Sequence, residues 1–180
     1  MIRFQSPPGR FVMALVVAAC LCITACTPKA TAIRSYTIGE QADAGLIIYT
    51  ALEAVWRPQL GEAPAPRLPH DRFLLVRLRI TNSSPHDASV PLTTLVSPSG
   101  REYAELTDGE GVEDWLGVLR HLKPNETVFG WALFDAPRGD YQLRVSDDAF
   151  DPADAQLALI QIPLRLEATS EYLPESKKNR

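Results

Sequence analysis

Apolar and polar positions alternate in short runs along this chain, and turn residues separate the runs. The clearest run is Phe73 to Ile80. Leu74, Val76, Leu78 and Ile80 share one side of an extended segment; Arg77 and Arg79 share the other with Phe73 and Leu75, which is the two-residue period of a strand. Tyr141–Val145 alternates in the same way, as does Leu159–Leu166, where Ile160, Ile162, Leu164 and Leu166 interleave with Gln161, Pro163 and Arg165. Thr127–Phe134, with Gly130 inside it, and Glu102–Leu106 read as further strands. So does Ser89–Val96, which Pro91 marks as an edge because proline cannot donate to a ladder. Leu46–Trp56 is rich in β-branched and aromatic residues and has the length of a long strand. Neither parity in it is polar, so its inward face stays open, and a helix remains an alternative without caps to frame it. Trp115, Val118, Leu119 and Leu122 recur at helical spacing and predict one short helical segment near 114–122.

Turn chemistry separates these elements. Asn82-Ser83-Ser84-Pro85, Ser97-Pro98-Ser99-Gly100, Lys123-Pro124-Asn125-Glu126 and Ala136–Asp140 are turns, and Pro58, Pro64, Pro66 and Pro69 make 57–69 a loop. About seven short strands punctuated this way predict an all-β fold, an antiparallel β-sandwich over 36–166, followed by a polar tail at 167–180. A disulfide-linked immunoglobulin domain is excluded, because no Cys-Trp-Cys framework exists.

All three cysteines, Cys20, Cys22 and Cys26, lie in the first 26 of the 180 residues. Arg3 and Arg10 precede an uncharged run from Phe11 to Ala25. A basic segment followed by an apolar one is the form of a secretory signal. The run is shorter than the ~20 residues that a helix needs to cross a bilayer. It ends in Ile23-Thr24-Ala25-Cys26, which resembles the lipobox of bacterial lipoproteins: a branched apolar residue, two small residues, then the cysteine whose thiol receives the lipid. Val17-Ala18-Ala19-Cys20 fits the same pattern, but cleavage there would leave apolar Leu21–Ile23 on the mature end, whereas Cys26 precedes polar Thr27-Pro28-Lys29. The expectation is a signal at 1–25, acyl chains such as palmitate on Cys26, and a tether at 26–35. Removing 25 residues that hold two arginines and no acid leaves 155 residues, 16 basic and 22 acidic side chains and a net charge of −6. Such a body gains no charge attraction to anionic lipid, so attachment rests on the acyl chains. Nor does it carry the basic face of a nucleic-acid binder.

The order of motifs carries a family resemblance. Tyr36-Thr37-Ile38-Gly39-Glu40 precedes the Leu46–Trp56 run; Arg72–Ser83 follows, then Ser99-Gly100-Arg101-Glu102-Tyr103, Leu122–Gly130 and Phe134-Asp135-Ala136-Pro137. Over 36–166 this resembles the telokin-like, immunoglobulin-like domain of unknown function found in many bacterial lipoproteins and secreted proteins. The resemblance implies a sandwich of seven to nine strands and transfers no catalytic residue. The family has Pro-Gly-Glu where this chain has Pro124-Asn125-Glu126, and asparagine tolerates the left-handed turn that glycine would supply.

Candidate chemistry is sparse. His70, His86 and His121 form no ligand-spaced pair, and the body has neither Gly-x-Ser-x-Gly nor a glycine-rich phosphate loop. Asp108, Glu110, Glu113 and Asp114 form one acidic cluster; Asp147, Asp148, Asp151 and Asp154 form another. Asp108, Glu110, Asp147 and Asp151 are weak calcium candidates, since calcium takes carboxylates from alternate loop positions. Val112 interrupts the first set and Ala149-Phe150 the second, so each reads first as a solvated loop. Asn82-Ser83-Ser84 and Asn125-Glu126-Thr127 match glycosylation sequons but read as turns in a bacterial protein. Trp56, Trp115 and Trp131 read as core before groove. These readings predict a non-catalytic domain without cofactor, anchored to the membrane by lipid at the outside of the cytoplasm, which binds or assembles an envelope protein. In a cell with two membranes, Thr27 beside the anchor favours the outer one. A small-ligand or calcium-binding module is the alternative, and an uncharacterised hydrolase the third reading.

Overall fold

A computed structural model describes residues 33–62, 64–149, 151 and 154–164. The signal at 1–25, Cys26 and the tail at 167–180 lie outside the described residues. In chain order the strands are β1 (Arg34–Tyr36), β2 (Ala42–Ala44), β3 (Ile47–Arg57), β4 (Phe73–Asn82), β5 (Ala88–Ser89), β6 (Thr94–Val96), β7 (Glu102–Ala104), β8 (His121–Leu122), β9 (Thr127–Asp135), β10 (Tyr141–Ser146) and β11 (Leu157–Ile162). Two sheets make a sandwich: β1-β11-β10-β6-β7 faces β2-β3-β4-β9, and β5 pairs with β8 at the side. The pairing is antiparallel apart from β1, which runs parallel to β11.

Alternation builds the core as the sequence predicts. Leu74, Val76, Leu78 and Ile80 are fully buried between the sheets with Tyr49, Leu95, Phe134, Leu143 and Ile160. Leu46–Trp56 resolves as strand β3, and its inward positions are Ile47, Tyr49 and Ala51. A register shift between Ala51 and Glu53 then leaves Leu52 as an extra residue, so the inward parity changes to Ala54 and Trp56. That shift explains why neither parity of the run is polar throughout.

The short helical segment expected near 114–122 is absent; the chain there is irregular, with turns and one isolated bridge before β8. Asp114 and Gly117 take left-handed φ angles of 54° and 74°, which interrupt a right-handed helix. Trp115 bridges Trp131 instead: the Trp131 amide donates to the Asp114 carbonyl (2.9 Å) and the Leu116 amide to the Trp131 carbonyl (3.1 Å). Gly130 permits this approach, since a Cβ there would lie 2.5 Å from the Asp114 carbonyl oxygen. The helical spacing arose from four side chains with separate fates. Leu122 enters the core, Trp115 packs on Gly109, and Val118 and Leu119 are exposed.

Two turns join the sheets. Asn82 is fully buried, and its side-chain amide donates to the carbonyls of His86, Leu122 and Lys123 while its oxygen accepts from the Ser84 amide. Asn125 adopts the left-handed conformation, with φ 61°. Both asparagines are therefore turn residues. At the other end the Tyr141 hydroxyl donates to the Pro137 carbonyl at 2.6 Å, four residues upstream, the tyrosine-corner arrangement of immunoglobulin-like sandwiches.

Candidate functional site: a cleft on the outer face of the four-stranded sheet

The outer face of β2-β3-β4-β9 is half covered. Phe73, Leu75 and Leu133 point outward and are buried with Leu60, and Leu106, Val112 and Trp131 pack against them. The cover is the proline-rich loop and the acidic loop. Leu60 and Arg67 exchange backbone hydrogen bonds of 2.9 and 2.8 Å, and the Leu106 amide donates to the Leu133 carbonyl at 2.7 Å. Arg67 ties the loops together. Its guanidinium lies 5.4 Å from the Phe73 ring centre, donates to the Asp108 carbonyl at 2.9 Å and sits 3.6 Å from the Asp108 carboxylate. The loops touch at Gly111 and Gly61; a Cβ on Gly111 would lie 3.1 Å from the Gly61 nitrogen.

Beside this cover a cleft of about 320 Å³ opens, floored by Glu53, Val55, Leu75 and Trp131 and walled by Arg57, Gln59, Leu60, Val112 and Glu113. Register explains the floor: Glu53 stands opposite Arg77, which stands opposite Trp131, and Val55 stands opposite Leu75. The Arg77 guanidinium lies 5.7 Å from the Trp131 ring centre, and its Nε is buried without a hydrogen-bond partner. Among the described residues, the side chains of Glu53, Arg57, Gln59 and Glu113 make no hydrogen bond or ion pair. The cleft therefore presents two carboxylates, one guanidinium and one amide with free valence over an apolar and aromatic floor. The set combines charged and polar side chains with an apolar, aromatic floor.

The cleft also borders an open strand edge. β2 pairs with β3 only at Ile47–Tyr49, and the Gly39 amide covers the Ala51 carbonyl at 2.8 Å. Past the bulge, from Glu53 to Arg57, β3 has β4 on one side and, among the described residues, no strand on the other.

The polar residues singled out by sequence do not converge there, Trp131 and Glu113 apart. Asp108 accepts from the Glu110 amide (2.9 Å) as well as facing Arg67, and the Glu110 carbonyl faces Arg67 at 3.4 Å. Asp147 accepts from the Gln156 amide at 3.0 Å, and the Asp151 carbonyl accepts from the Asp154 amide at 3.0 Å. Among the described residues no three His, Cys, Asp or Glu side chains come together as a metal site. His70 is exposed and contacts Asp71 at 3.2 Å. His121 Nδ1 is 3.1 Å from Ser89 Oγ, but the neighbouring Asp148 carboxylate accepts from the Ser89 backbone amide (3.3 Å), not from the imidazole.

Among the described residues one charged pair is buried, and sequence reading missed it. Arg120 and Glu105 form a two-point ion pair with side chains 2% and 0% exposed. Thr93 donates its amide (2.9 Å) and hydroxyl (2.8 Å) to the same carboxylate, and Arg120 Nε donates to the Gly117 carbonyl at 2.7 Å. Burial pushes the nearby Tyr49 hydroxyl well above the usual tyrosine range; it donates to the Ser146 carbonyl at 2.7 Å. Burial likewise pushes Tyr141 up to about 12, helped by Tyr103, which meets it edge-on at 5.6 Å. On the outer face of the other sheet, hydrogen bonds from Arg144 hold the Glu102 carboxyl below its ordinary range. Glu53 and Arg57 were missed as well; their alternation with Ala54 and Trp56 in a strand was the available signal.

Comparison with known proteins identifies the fold and leaves the task open. A family model described as Domain of unknown function (DUF4352) matches residues 36–155. Among curated proteins, none matches the sequence. The crystal structure of the yjhA protein from Bacillus subtilis is similar, with TM-score 0.52 and 14% identity over 69% of this chain and 99% of that one. A second Bacillus subtilis protein, ycdA, whose description proposes a lipoprotein, is similar with TM-score 0.53 and 12% identity; the match covers 71% of this chain and 40% of that one. A functionally unknown protein from Listeria monocytogenes aligns with TM-score 0.52 and 12% identity over 73% of this chain and 85% of that one.

Proposed function

Because the chain belongs to the DUF4352 family, whose domain is of unknown function, we propose its task from its own residues: it is a non-catalytic binding or assembly domain of a bacterial envelope lipoprotein. The observation that carries the binding role is the outer-face cleft, where Glu53, Arg57 and Glu113 keep their charges unpartnered beside the Trp131 ring. Buried charges are paired, as Arg120 and Glu105 are, whereas Glu53, Arg57 and Glu113 are exposed and held by water. Charges left open over an apolar floor suit a ligand or partner that completes them. Supporting the location, Ile23-Thr24-Ala25-Cys26 has the side chains that lipoprotein processing requires, and the structurally similar ycdA is itself proposed to be a lipoprotein. The domain then stands outside the cytoplasm on a lipid anchor at Cys26, on the outer membrane where the cell has two, and holds an envelope protein near the bilayer.

Expression of the full chain in a bacterial host tests this reading. The membrane fraction should contain a protein whose N-terminal peptide begins at Cys26 and carries acyl mass, and Cys26→Ala should abolish both the mass and the membrane retention. A Cys26→Ala chain that stays membrane-bound at unchanged mass contradicts the anchor. A host pull-down that returns the same proteins with and without Glu53→Gln/Glu113→Gln contradicts the cleft as the binding surface.

A further inference from the structure

The open edge of β3 has a property that its neighbours in the sheet lack: its outward side chains are complementary to themselves. Glu53, Val55 and Arg57 share the outward side and line the same cleft. Read in the opposite direction, the same positions run Arg57, Val55, Glu53. Two such edges laid antiparallel, with Val55 opposite Val55, bring each Glu53 opposite the Arg57 of the other copy. We infer that this chain self-associates by pairing β3 with β3 of a second copy about a two-fold axis at Val55.

Three observations select a second copy as the occupant. First, the unpaired backbone is a template for another strand, and it is bounded. The extra residue Leu52 lies three positions before Val55 and Pro58 lies three positions after, so a five-residue window is centred on the axis. A bulge and a proline both end ladder pairing, which restricts the register to this window. Second, neither Glu53 nor Arg57 has a partner among the described residues of its own chain, and opposite charges facing one another across strands stabilise pairing. Third, a two-fold contact uses the same patch on both copies, and a segment that matches its own reversal satisfies that condition. The product is one continuous sheet, β9-β4-β3 joined to β3-β4-β9 of the other copy, with the two β2 strands outside the window.

Charge reversal tests the arrangement. The full chain, purified in detergent, is followed by sedimentation and by co-purification of two differently tagged versions. Wild type should dimerise. Glu53→Arg alone places like charges opposite one another at both ends of the window, as does Arg57→Glu alone, and each should weaken the dimer on the order of 30-fold. Mixing the two single variants restores opposite charges at every pair, so they should co-purify with each other and not with themselves. The double variant Glu53→Arg/Arg57→Glu is again self-complementary and should dimerise like wild type. Milder Glu53→Gln and Arg57→Gln chains guard against a folding defect: they should weaken the dimer severalfold while unfolding like wild type at concentrations where both are monomeric, since association itself stabilises the fold. A wild-type chain that stays monomeric at high concentration overturns the proposal. So does a dimer that all variants form equally, which would place the interface elsewhere. Either failure leaves the lipid anchor untouched, because acyl mass on Cys26 is read independently.

Discussion

The two faces of the four-stranded sheet solve opposite problems with the same strands. On the inner face Leu74, Val76, Leu78 and Ile80 meet the second sheet and are sealed. The buried pair of Glu105 with Arg120, near Tyr49 of that face, is closed by Thr93 and the Gly117 carbonyl. On the outer face Phe73, Leu75 and Leu133 are covered by loops, and Glu53 and Arg57 on the next strand have no partner among the described residues. A β-strand puts alternate residues on each face, so β3 and β4 serve both at once. Charge on the inner side is closed within the fold, and the exposed charges on the outer side are left to solvent.

Perturbing the two faces should give graded effects. The largest is expected inside. Glu105→Ala strands the Arg120 guanidinium without its carboxylate, and breaking a buried pair in this way costs about 3–5 kcal/mol; urea unfolding measures it. Leu78→Ala opens a cavity in the sealed core and should cost about 3–4 kcal/mol. Leu75→Ala, one position type over on the outer face, should cost closer to 2 kcal/mol because the covering loops can settle into the space. It should also speed amide exchange at Leu60 and Arg67, which pair directly above it. Equal losses for Leu78→Ala and Leu75→Ala would erase the distinction between the faces.

Alkaline titration sharpens the contrast more gently. The folded state holds Tyr141 at about 12 against an ordinary value of 10. Its contribution to stability is therefore complete below pH 10 and is lost as pH rises through 12. The unfolding midpoint should fall across that window, and Tyr141→Phe should flatten the part of the fall that this hydroxyl causes. The smallest effect is expected at the open charges: Glu53→Gln and Glu113→Gln should leave the unfolding midpoint of the monomer unchanged while weakening binding. A clear loss of stability in either would mean that the carboxylate serves the fold.

Much of the inner face was legible in the sequence, because period-two alternation reports directly on a strand with one sealed side. The Leu74–Ile80 series and the sandwich class follow from it, and turn chemistry gave the roles of Asn82 and Asn125. The segment at 114–122 was misread for a physical reason. Spacing assigns a helix only when the apolar residues share a destination, and Trp115, Leu119 and Leu122 go to three different places. The bulge at Leu52 hid the alternation of β3 by switching its parity midway. The cleft was illegible because Glu53, Leu75, Glu113 and Trp131 become neighbours only through the registers of β3, β4 and β9. The Glu105–Arg120 pair joins residues 15 positions apart through a loop path that no local pattern encodes.

Hydrogen exchange at β3, measured on the full chain across a range of protein concentrations, tests the division of faces most directly. The account predicts that protection of the Glu53–Arg57 amides rises with concentration while the inner-core amides of β4 stay constant, and that Glu53→Arg removes the rise. Exchange at Glu53–Arg57 that is independent of concentration in wild type would contradict it.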